Sequence, residues 1–249
     1  NINKKTKAVL AVHLNGKMVD IIKIKKICKK YNLFLIEDAA QAFGSSFNKI
    51  QPGQISDAAC FSCHPTKTLY SFRDGGFVVS NNAKLIEKIR LLKNHGIKSK
   101  RDECYQFGFN SRIDNLQATI LLEKLKEIKS KIKKRNNVAK FYIDNLDKKK
   151  YLIMKNEKSI VHSYQFFHVI CKLNTNKLLK YLLKKKIEVY KYFHIPIYSQ
   201  KAYTKLNLKG NVNLDNCEYM KNKSINLPIR ENLKLNEIKY IVKTMNNFE

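Results

Sequence analysis

The stretch "CFSCHPTKTLYSFRDGG", Cys60–Gly76, concentrates the residue types that could do chemistry in this chain. Its C-x-x-C pair, Cys60 and Cys63, together with His64, would suit a metal ion or a redox couple. Its lysine, Lys67, precedes a loop and a double glycine, which would suit a covalent nucleophile or a phosphate loop. The stretch alone therefore leaves four kinds of site open.

The metal and redox interpretations are the weaker ones. A metal site needs converging ligands, and Cys60, Cys63 and His64 give at most three, in a stretch that begins as a buried strand. A redox C-x-x-C normally opens a helix, whereas Cys60 lies inside the predicted strand. Free, buried cysteines explain both residues better, and we predict no metal site. The double glycine precedes a strand rather than a helix, so tight packing explains it better than a phosphate loop.

Lys67 gains meaning from a carboxylate elsewhere in the sequence. "LFLIED" is a continuous apolar run ending in Asp38, at the carboxyl end of a predicted parallel strand, where α/β sheets bind ligands. Pyridoxal phosphate needs such a pair, because a lysine amine holds its aldehyde as a Schiff base and a carboxylate keeps its pyridine nitrogen protonated. In a chain so rich in lysine, Lys67 alone would carry no information.

The predicted elements place this pair in an α/β architecture. Apolar runs at 7–14 and 33–38 flank an amphipathic helix, which makes a βαβ unit with parallel strands. Further strands are predicted to end near Ser62 and to cover 75–81. Helices are predicted at 83–96 and from about 113 towards Tyr142. The second half alternates again, with strands at 164–173 and 188–193 and helices at 174–187, 214–225 and 234–248.

Composition bounds the class of protein. A chain of 249 residues that is 44% hydrophobic can bury a sizeable core. Its six cysteines are scattered, so we expect reduced thiols in a cytoplasmic protein. No apolar run has the length of a bilayer span and the first residues lack the order of a signal peptide, so we expect no membrane partner.

The net charge of +29 would by itself favour an anionic partner such as nucleic acid. The lysines, however, lie on the polar sides of ordinary amphipathic helices, as in "EKLKEIKSKIKKRNN". No basic segment alternates with aromatic residues for base stacking, and no nucleic-acid-binding module is recognisable. We therefore predict no nucleic-acid partner.

Several linked motifs resemble those of the pyridoxal-phosphate-dependent sugar aminotransferases of the DegT/DnrJ/StrS group, which have the aspartate aminotransferase fold. The motifs are "LIEDAAQAFG", "SDAACFSCHPTKTLYSFRDGGFVVSNN", "LLKNHGIKS" and "GFNSRIDNLQATIL", and the resemblance runs from about Thr6 to the end. It implies a truncated three-layer αβα large domain over 1–130, which would bind the cofactor, and a smaller C-terminal α/β domain over 131–249.

The resemblance also implies a role for each matching residue. Lys67 would bind pyridoxal 5'-phosphate covalently and then move a proton at the substrate carbon. Asp38 would pair with the pyridinium nitrogen, and Gln41 would lie by the ring and its phenolic oxygen. Ser62 would bind the cofactor phosphate, and Asn110 would reach the phosphate in the neighbouring subunit of a homodimer with shared active sites.

Each of these residues also has a plainer interpretation. Asp38 could cap the turn that follows it, and Gln41 could be a surface amide. Ser62 could simply fill its strand, and Asn110 could be a left-handed turn residue. The linked motifs favour function for all of them, least firmly for Asn110.

The implied reaction is amino transfer from an amino acid, with glutamate the expected donor, to a keto group of a nucleotide-linked sugar, as in amino-sugar or surface polysaccharide biosynthesis. Two alternatives stay open. One is a sugar dehydratase of the same family that uses pyridoxamine phosphate without a covalent lysine, against which Lys67 argues. The other is a catalytically inactive fragment or remnant.

The sequence departs from the family's pattern in three places. The first strands, the turn that cradles the phosphate and the aromatic residue that stacks on the pyridine would precede residue 1, so we expect a fragment, split gene product or decayed copy. A sheet without those strands would have an unpaired edge and exposed apolar helix faces. Tyr192 and Tyr198 stand where histidines are frequent, which leaves the sugar open, and Arg73 stands where small residues are frequent.

Overall fold

The structure is a computed structural model that describes residues 1–98, 103–154, 157–192, 195–206 and 214–249. The chain divides into two compact units. The first comprises Asn1–Lys133 and Asn156–Gln165, and the second comprises Lys134–Lys155 and Phe166–Glu249. None of the helices in the described ranges combines the length and hydropathy that a membrane span requires.

The first unit is built on strands β1 (Ala8–Val12), β2 (Phe34–Asp38), β3 (Ser46–Phe47), β4 (Ala58–Ser62) and β5 (Gly76–Val79). Its four-stranded sheet has the order β1-β2-β4-β5. β1, β2 and β4 run parallel, with α1 (Ile21–Lys30) between β1 and β2, so the predicted βαβ unit is confirmed. β5 pairs antiparallel with β4, a direction that the sequence did not predict.

Side chains alternate between the two faces of this sheet because the side-chain period of a strand is two residues. One row of register partners, packed on one face, is Ala11, Glu37 and Ala59. The next row, on the opposite face, is Val12, Asp38 and Cys60. Cys60 is exposed because Ala59 occupies the packed face, so the prediction of a buried Cys60 is wrong, whereas Cys63 is buried as predicted.

The packed face is covered by α1. Ile21 and Cys28 of this helix are fully buried with Leu35 of β2, and the cluster continues through Met18 to Phe47. The Asp20 carboxylate begins the helix by accepting a hydrogen bond from the Lys23 N–H at 3.0 Å. β1 is at an edge of the described sheet. On the face opposite α1, the β1 side chains Leu10 and Val12 are 61% and 45% exposed.

The helices after β5 differ from the sequence prediction in one respect. The predicted helix at 83–96 is α2 (Ala83–Leu92), and the predicted long helix is two helices, α3 (Asn115–Lys126) and α4 (Ile128–Asn145), separated at Glu127. The division between the units lies within α4. The segment 157–165 belongs to the first unit, where its strand, Ile160–Val161, pairs antiparallel with β3.

The second unit contains a fully antiparallel sheet. In chain order, Tyr151–Ile153 is β6, Ile160–Val161 of the first unit is β7, Phe167–Cys171 is β8 and Ser224–Leu227 is β9, and the sheet order is β6-β8-β9. The helices of this unit after α4 are α5 (Thr175–Lys184), α6 (Lys201–Thr204), α7 (Asp215–Lys223) and α8 (Leu235–Asn246). The predicted strand at 164–173 and the predicted helices at 174–187 and 234–248 are confirmed. The predicted helix at 214–225 ends at Lys223, because Ser224 and Ile225 belong to β9.

The predicted strand at 188–193 is wrong. Tyr190 makes one isolated antiparallel bridge with Asn226, and no regular strand forms in the described residues of this segment. The Val and Tyr side chains favour a strand, but of the described residues here only Tyr190 pairs with β9, and a single residue pair does not make a regular strand. Residue 193 lies outside the described residues.

We expect Ile21→Ala to lower the free energy of unfolding by about 2–5 kcal/mol, because it empties a fully buried site between α1 and β2. Ile27→Ala is the matched control, because the same residue type in the same helix is 45% exposed and should cost well under about 1 kcal/mol. The measurement is urea unfolding of both variants followed by circular dichroism. Equal losses would contradict the assignment of α1's buried face.

Candidate active site

The loop that carries Lys67 joins two antiparallel neighbours, β4 and β5, over residues 63–75. Its ends are closed by the Cys63 N–H, which donates to the Gly75 carbonyl at 2.7 Å. Inside the loop the Lys67 N–H donates to the His64 carbonyl at 2.9 Å. Because β2 and β4 are parallel, the loop begins at the same sheet edge at which β2 ends in Asp38.

The double glycine has a packing role where β5 begins. A Cβ on Gly76 would lie 2.4 Å from the Phe61 carbonyl oxygen, so a side chain cannot be accommodated beside β4. A Cβ on Gly75 would lie 3.0 Å from the Ile113 side chain. The sequence interpretation of tight packing is therefore confirmed.

The second half of the Lys67 loop is held by α3. The Phe72 N–H donates to Oε1 of the buried Gln117 at 2.7 Å. Nζ of Lys124 donates to the Tyr70 carbonyl at 3.0 Å and lies 3.3 Å from the centroid of the Tyr70 ring. The helix that follows the "GFNSR" motif therefore fixes the chain beyond Lys67.

The first half of the loop is held by Gln165. Oε1 of Gln165 accepts hydrogen bonds from the Thr68 N–H at 2.9 Å and the Thr68 hydroxyl at 3.1 Å. Nε2 of Gln165 donates to the Thr66 carbonyl at 2.5 Å. Gln165 is not among the residues predicted from the sequence, because nothing in its local pattern connects it with a lysine almost a hundred residues earlier in the chain.

Lys67 is half-buried and electrostatically close to Asp38. Burial lowers the pKa of the Lys67 amine below the ordinary lysine value, and the Asp38 carboxylate opposes part of that change. The Lys67 amine thus lies within the electrostatic field of the Asp38 carboxylate, while the pairing of the two residues around a cofactor stays a prediction. A lysine with a lowered pKa has a larger fraction of the neutral, nucleophilic amine.

Asp38 also makes the turn contact that its plainer interpretation predicts. Its Oδ1 accepts a hydrogen bond from the Ala40 N–H at 3.0 Å. Its carbonyl accepts from the His13 N–H at 3.1 Å. The first contact orients the side chain and the second fixes the backbone, so turn formation and a role towards a ligand are compatible.

Gln41 is fixed by the turn after β1. The Asn15 N–H donates to Oε1 of Gln41 at 2.6 Å, which orients the amide. The Gln41 carbonyl accepts from the Ser163 hydroxyl at 3.0 Å. Gly16, with φ of +92°, packs closely against Ser163. A Cβ at this position would lie 2.2 Å from Oγ of Ser163, so there is no room for a side chain. Gln41 is therefore a positioned amide rather than a mobile surface side chain.

Ser62 and Asn110 differ in their surroundings. Ser62 is the last residue of β4, and its hydroxyl oxygen accepts from the His64 N–H at 3.3 Å, next to the Lys67 loop. Asn110 is exposed and forms an isolated bridge with Asn94, and its Oδ1 accepts from Nε of Arg112 at 3.3 Å. The structure thus places Ser62 with Asp38, Gln41 and Lys67 around one sheet edge, and places Asn110 in a separate loop.

A buried hydrogen bond between a histidine and a carboxylate lies on the other face of the sheet, directly behind Asp38. Nε2 of His13 and Oε2 of Glu37 are 2.7 Å apart, and both side chains are fully buried. The Val19 N–H points at Nδ1 of His13 at 3.4 Å, so the imidazole donates its Nε2 proton to Glu37.

The second oxygen of Glu37 completes this network. Oε1 accepts from the Gly53 N–H at 2.7 Å and from the Ser56 hydroxyl at 2.5 Å. Burial alone would raise the pKa of Glu37, but the hydrogen bonds to its carboxylate outweigh burial and hold the pKa below its usual value. Sequence reasoning left His13 without a role and did not single out Glu37.

Cysteine chemistry is not part of this arrangement. Burial raises the pKa of Cys63, and partial desolvation of the Cys60 sulfur together with the Asp38 carboxylate raises the pKa of Cys60, which makes both thiols poorer nucleophiles. The described residues contain no group of three or more His, Cys, Asp and Glu side chains that could hold a metal ion.

Comparison with known proteins places this geometry in a family. A model described as the DegT/DnrJ/EryC1/StrS aminotransferase family matches residues 1–246. A "pleiotropic regulatory protein" of Geobacillus stearothermophilus is 32% identical over 99% of this chain and 66% of its own length. The dTDP-3-amino-3,6-dideoxy-alpha-D-galactopyranose transaminase of Aneurinibacillus thermoaerophilus is 32% identical over 99% of this chain and 67% of its own length.

A solved structure of an aminotransferase is also similar to this chain. Helicobacter pylori PseC, an aminotransferase involved in the biosynthesis of pseudoaminic acid, aligns with a TM-score of 0.88 at 27% identity, covering 99% of this chain and 69% of PseC. The predicted aspartate-aminotransferase-like fold is confirmed. The chain spans about two thirds of the length of the curated relatives it matches.

We expect Glu37→Gln to lower the free energy of unfolding at neutral pH by about 1–3 kcal/mol, because the new amide nitrogen would face the donating nitrogen of His13 or leave another donor unpaired. The native carboxyl titrates below its ordinary value of 4.5, so its stabilisation is complete above that pH and is lost as the pH falls through the lower folded-state pKa. The variant should therefore lose stability less steeply below 4.5.

Urea unfolding at a series of pH values measures this difference. Glu123→Gln is the control, because the Glu123 side chain is 65% exposed and pairs only at the surface with Lys126. A variant at position 37 with the wild-type pH slope would show that the buried carboxylate does not carry the predicted linkage.

We expect Asp38→Asn to lower the pKa of Lys67 further, because the carboxylate raises that pKa and the asparagine keeps only the oxygen that accepts from Ala40. Competitive amine labelling of the cofactor-free protein across pH, with the Lys67 peptide quantified by mass spectrometry, measures it. Asp74→Asn is the control in the same loop, where the carboxylate side chain is 94% exposed. An unchanged or raised Lys67 pKa in Asp38→Asn would contradict the pairing.

Proposed function

The chain belongs to the DegT/DnrJ/EryC1/StrS aminotransferase family, and from this premise we propose that it acts in amino transfer to a keto group of a nucleotide-linked sugar. The donor we propose is an amino acid, with glutamate the expected one. The name of the Aneurinibacillus relative, a dTDP-sugar transaminase, supports the nucleotide-sugar class of substrate. Activity in the cytoplasm is part of the same proposal.

The observation that carries the proposal is the half-buried amine of Lys67 within the field of the Asp38 carboxylate. Pyridoxal phosphate is the cofactor that the family implies, and the residues at this sheet edge fit it: an amine, a carboxylate, an oriented amide and a hydroxyl. When bound, it supplies an aldehyde that condenses with amines and a pyridine ring that accepts the electrons released at the substrate carbon.

The chain's own groups have distinct tasks in this proposal. Lys67 would bind the aldehyde and would then carry a proton to and from the substrate carbon, for which the amine must be neutral and its lowered pKa is suited. Asp38 would hold the positive charge of the pyridine nitrogen. Gln41, whose amide is oriented by Asn15, would bind the ring side, and the Ser62 hydroxyl would donate to the phosphate.

The subunit arrangement is also proposed. In a homodimer with shared active sites, the exposed Asn110 would reach the phosphate bound by the second copy. Oδ1 of Asn110 accepts a hydrogen bond from Nε of Arg112, and this contact orients the Asn110 side-chain amide. The assignment of 1–130 to a partial cofactor-binding large domain and of 131–249 to a small C-terminal α/β domain stays a prediction.

We expect Lys67→Ala to abolish covalent attachment of pyridoxal phosphate and to lower amino transfer at least 10³-fold, because the residue supplies both the nucleophile and the proton carrier. The purified protein is incubated with the cofactor, its visible absorption is recorded, and borohydride followed by peptide mapping locates the attached group. Lys23→Ala is the control, because the Lys23 side chain is 81% exposed. Attachment at another lysine, or none in the unmodified protein, would refute the proposal.

A further inference from the structure

The side chain of Gln165 contacts the backbone on both sides of Lys67. Its Oε1 accepts from the Thr68 N–H and hydroxyl, and its Nε2 donates to the Thr66 carbonyl. Gln165 is only 4% exposed. Both polar ends of one buried amide are therefore used on the two residues that flank the candidate catalytic lysine.

We propose that Gln165 is a positioning residue for Lys67, an inference that rests on the function proposed above for that lysine. The carbonyl of Thr66 and the N–H of Thr68 belong to residues immediately before and after Lys67, so bonding both restricts the backbone dihedrals between them. Those dihedrals set the direction of the Cα–Cβ bond of Lys67 and hence where its amine can reach. Small misplacements of a reacting group are costly for catalysis.

The segment that presents Gln165 is itself fixed to the Asp38 side of the site. Oγ of Ser163 donates to the Gln41 carbonyl at 3.0 Å, and the Ser163 N–H donates to Oγ of Ser45 at 3.1 Å. The segment 162–165 therefore contacts both the turn after β2 and the Lys67 loop. It connects the two parts of the chain whose relative placement determines the distance between the amine and the carboxylate.

The backbone of this segment adopts an uncommon conformation. Tyr164 has φ of 50°, in the left-handed region that bulky residues rarely enter. Its N–H donates to Nδ1 of His162 at 2.9 Å, and the two rings stack in parallel with centroids 3.9 Å apart. Such a conformation persists only where the surroundings determine it, and it occurs often at functional sites. The turn directs Gln165 towards the Lys67 loop.

A second buried glutamine, Gln117, provides the control that distinguishes positioning of Lys67 from simple support of its loop. Gln117 is 5% exposed, and its Oε1 accepts from the Phe72 N–H in the same loop, but not beside Lys67. Gln165→Met and Gln117→Met remove the same amide from equally buried sites. Both should destabilise the fold, and only Gln165→Met should change the behaviour of Lys67.

The decisive measurement is the pKa of Lys67 in the cofactor-free protein, obtained by competitive amine labelling across pH. In Gln165→Met the loop loosens, water reaches the amine, and the pKa should rise towards the ordinary lysine value of 10.5, since burial is what lowers it. In Gln117→Met it should equal the wild-type value. Equal titration of Lys67 in the two variants would overturn the positioning role.

A pair of milder substitutions covers the case in which Gln165→Met does not fold. Thr68→Val removes the hydroxyl that donates to Gln165 and keeps the N–H bond, so a small rise in the pKa of Lys67 is expected. Thr68→Ser keeps both donors and should leave the pKa unchanged. Identical Lys67 titration in the two variants at position 68 would count against the inference.

Kinetics of the cofactor-loaded protein give a second readout. Gln165→Met should lower kcat by about 10-fold or more with KM changed less than about 3-fold, because the reacting amine is displaced while substrate contacts stay. An unchanged kcat would overturn the inference. If the protein does not take up pyridoxal phosphate, the proposed function fails, whereas the labelling experiment still decides the effect of Gln165 on Lys67.

Discussion

The burial of the Glu37 carboxylate is the constraint on which the geometry of the site depends. A charged group on the packed face of a sheet is very unfavourable unless donors surround it. The three donors come from two segments, namely His13 after β1 and Gly53 and Ser56 before β4. Satisfying one carboxylate therefore fixes the chain on both sides of β2.

The same constraint places Asp38. Because side chains alternate along β2, a Glu37 held on the packed face requires Asp38 to lie on the opposite face. His13 contributes twice, since its side chain bonds Glu37 and its backbone N–H bonds the Asp38 carbonyl. The acidic pair "ED" thus divides into a structural carboxylate and a presented one, a distinction that rests on strand geometry and not on residue type.

Sequence reasoning could predict the parts of the site that local patterns determine. Continuous apolar runs identify β1, β2 and β4, and the parallel arrangement then brings the end of β2 and the start of the Lys67 loop to one edge. The role assigned to Lys67 also drew on linked family motifs. Local patterns gave a wrong prediction at 188–193, where pairing with a neighbouring strand decides whether a strand forms. They also gave a wrong prediction at Cys60, where the alternation of side chains along β4 decides which face of the sheet a residue lies on.

The parts that could not be predicted involve contacts between distant residues. Gln165 binds Thr66 and Thr68, from which it is separated by 99 and 97 positions in the sequence. The residues around Gln165 predict only the start of a strand. A single polar side chain that binds backbone leaves no periodic signal. The donors to Glu37 could not be predicted from the sequence for the same reason, because a glycine N–H and a serine hydroxyl that bind a distant side chain produce no periodic sequence pattern.

The strong positive charge of the chain does not explain which lysine is reactive. With 49 Lys and Arg against 20 Asp and Glu, every lysine lies in a cationic protein, and charges beyond about 8 Å are largely screened at physiological salt. Burial lowers the pKa of Lys124 as it does that of Lys67, yet the Lys124 amine is engaged with Tyr70 and serves the loop. A lowered pKa therefore does not identify a reactive lysine. What distinguishes Lys67 is a neighbouring carboxylate on the open face of the sheet and a loop held on both sides of the residue.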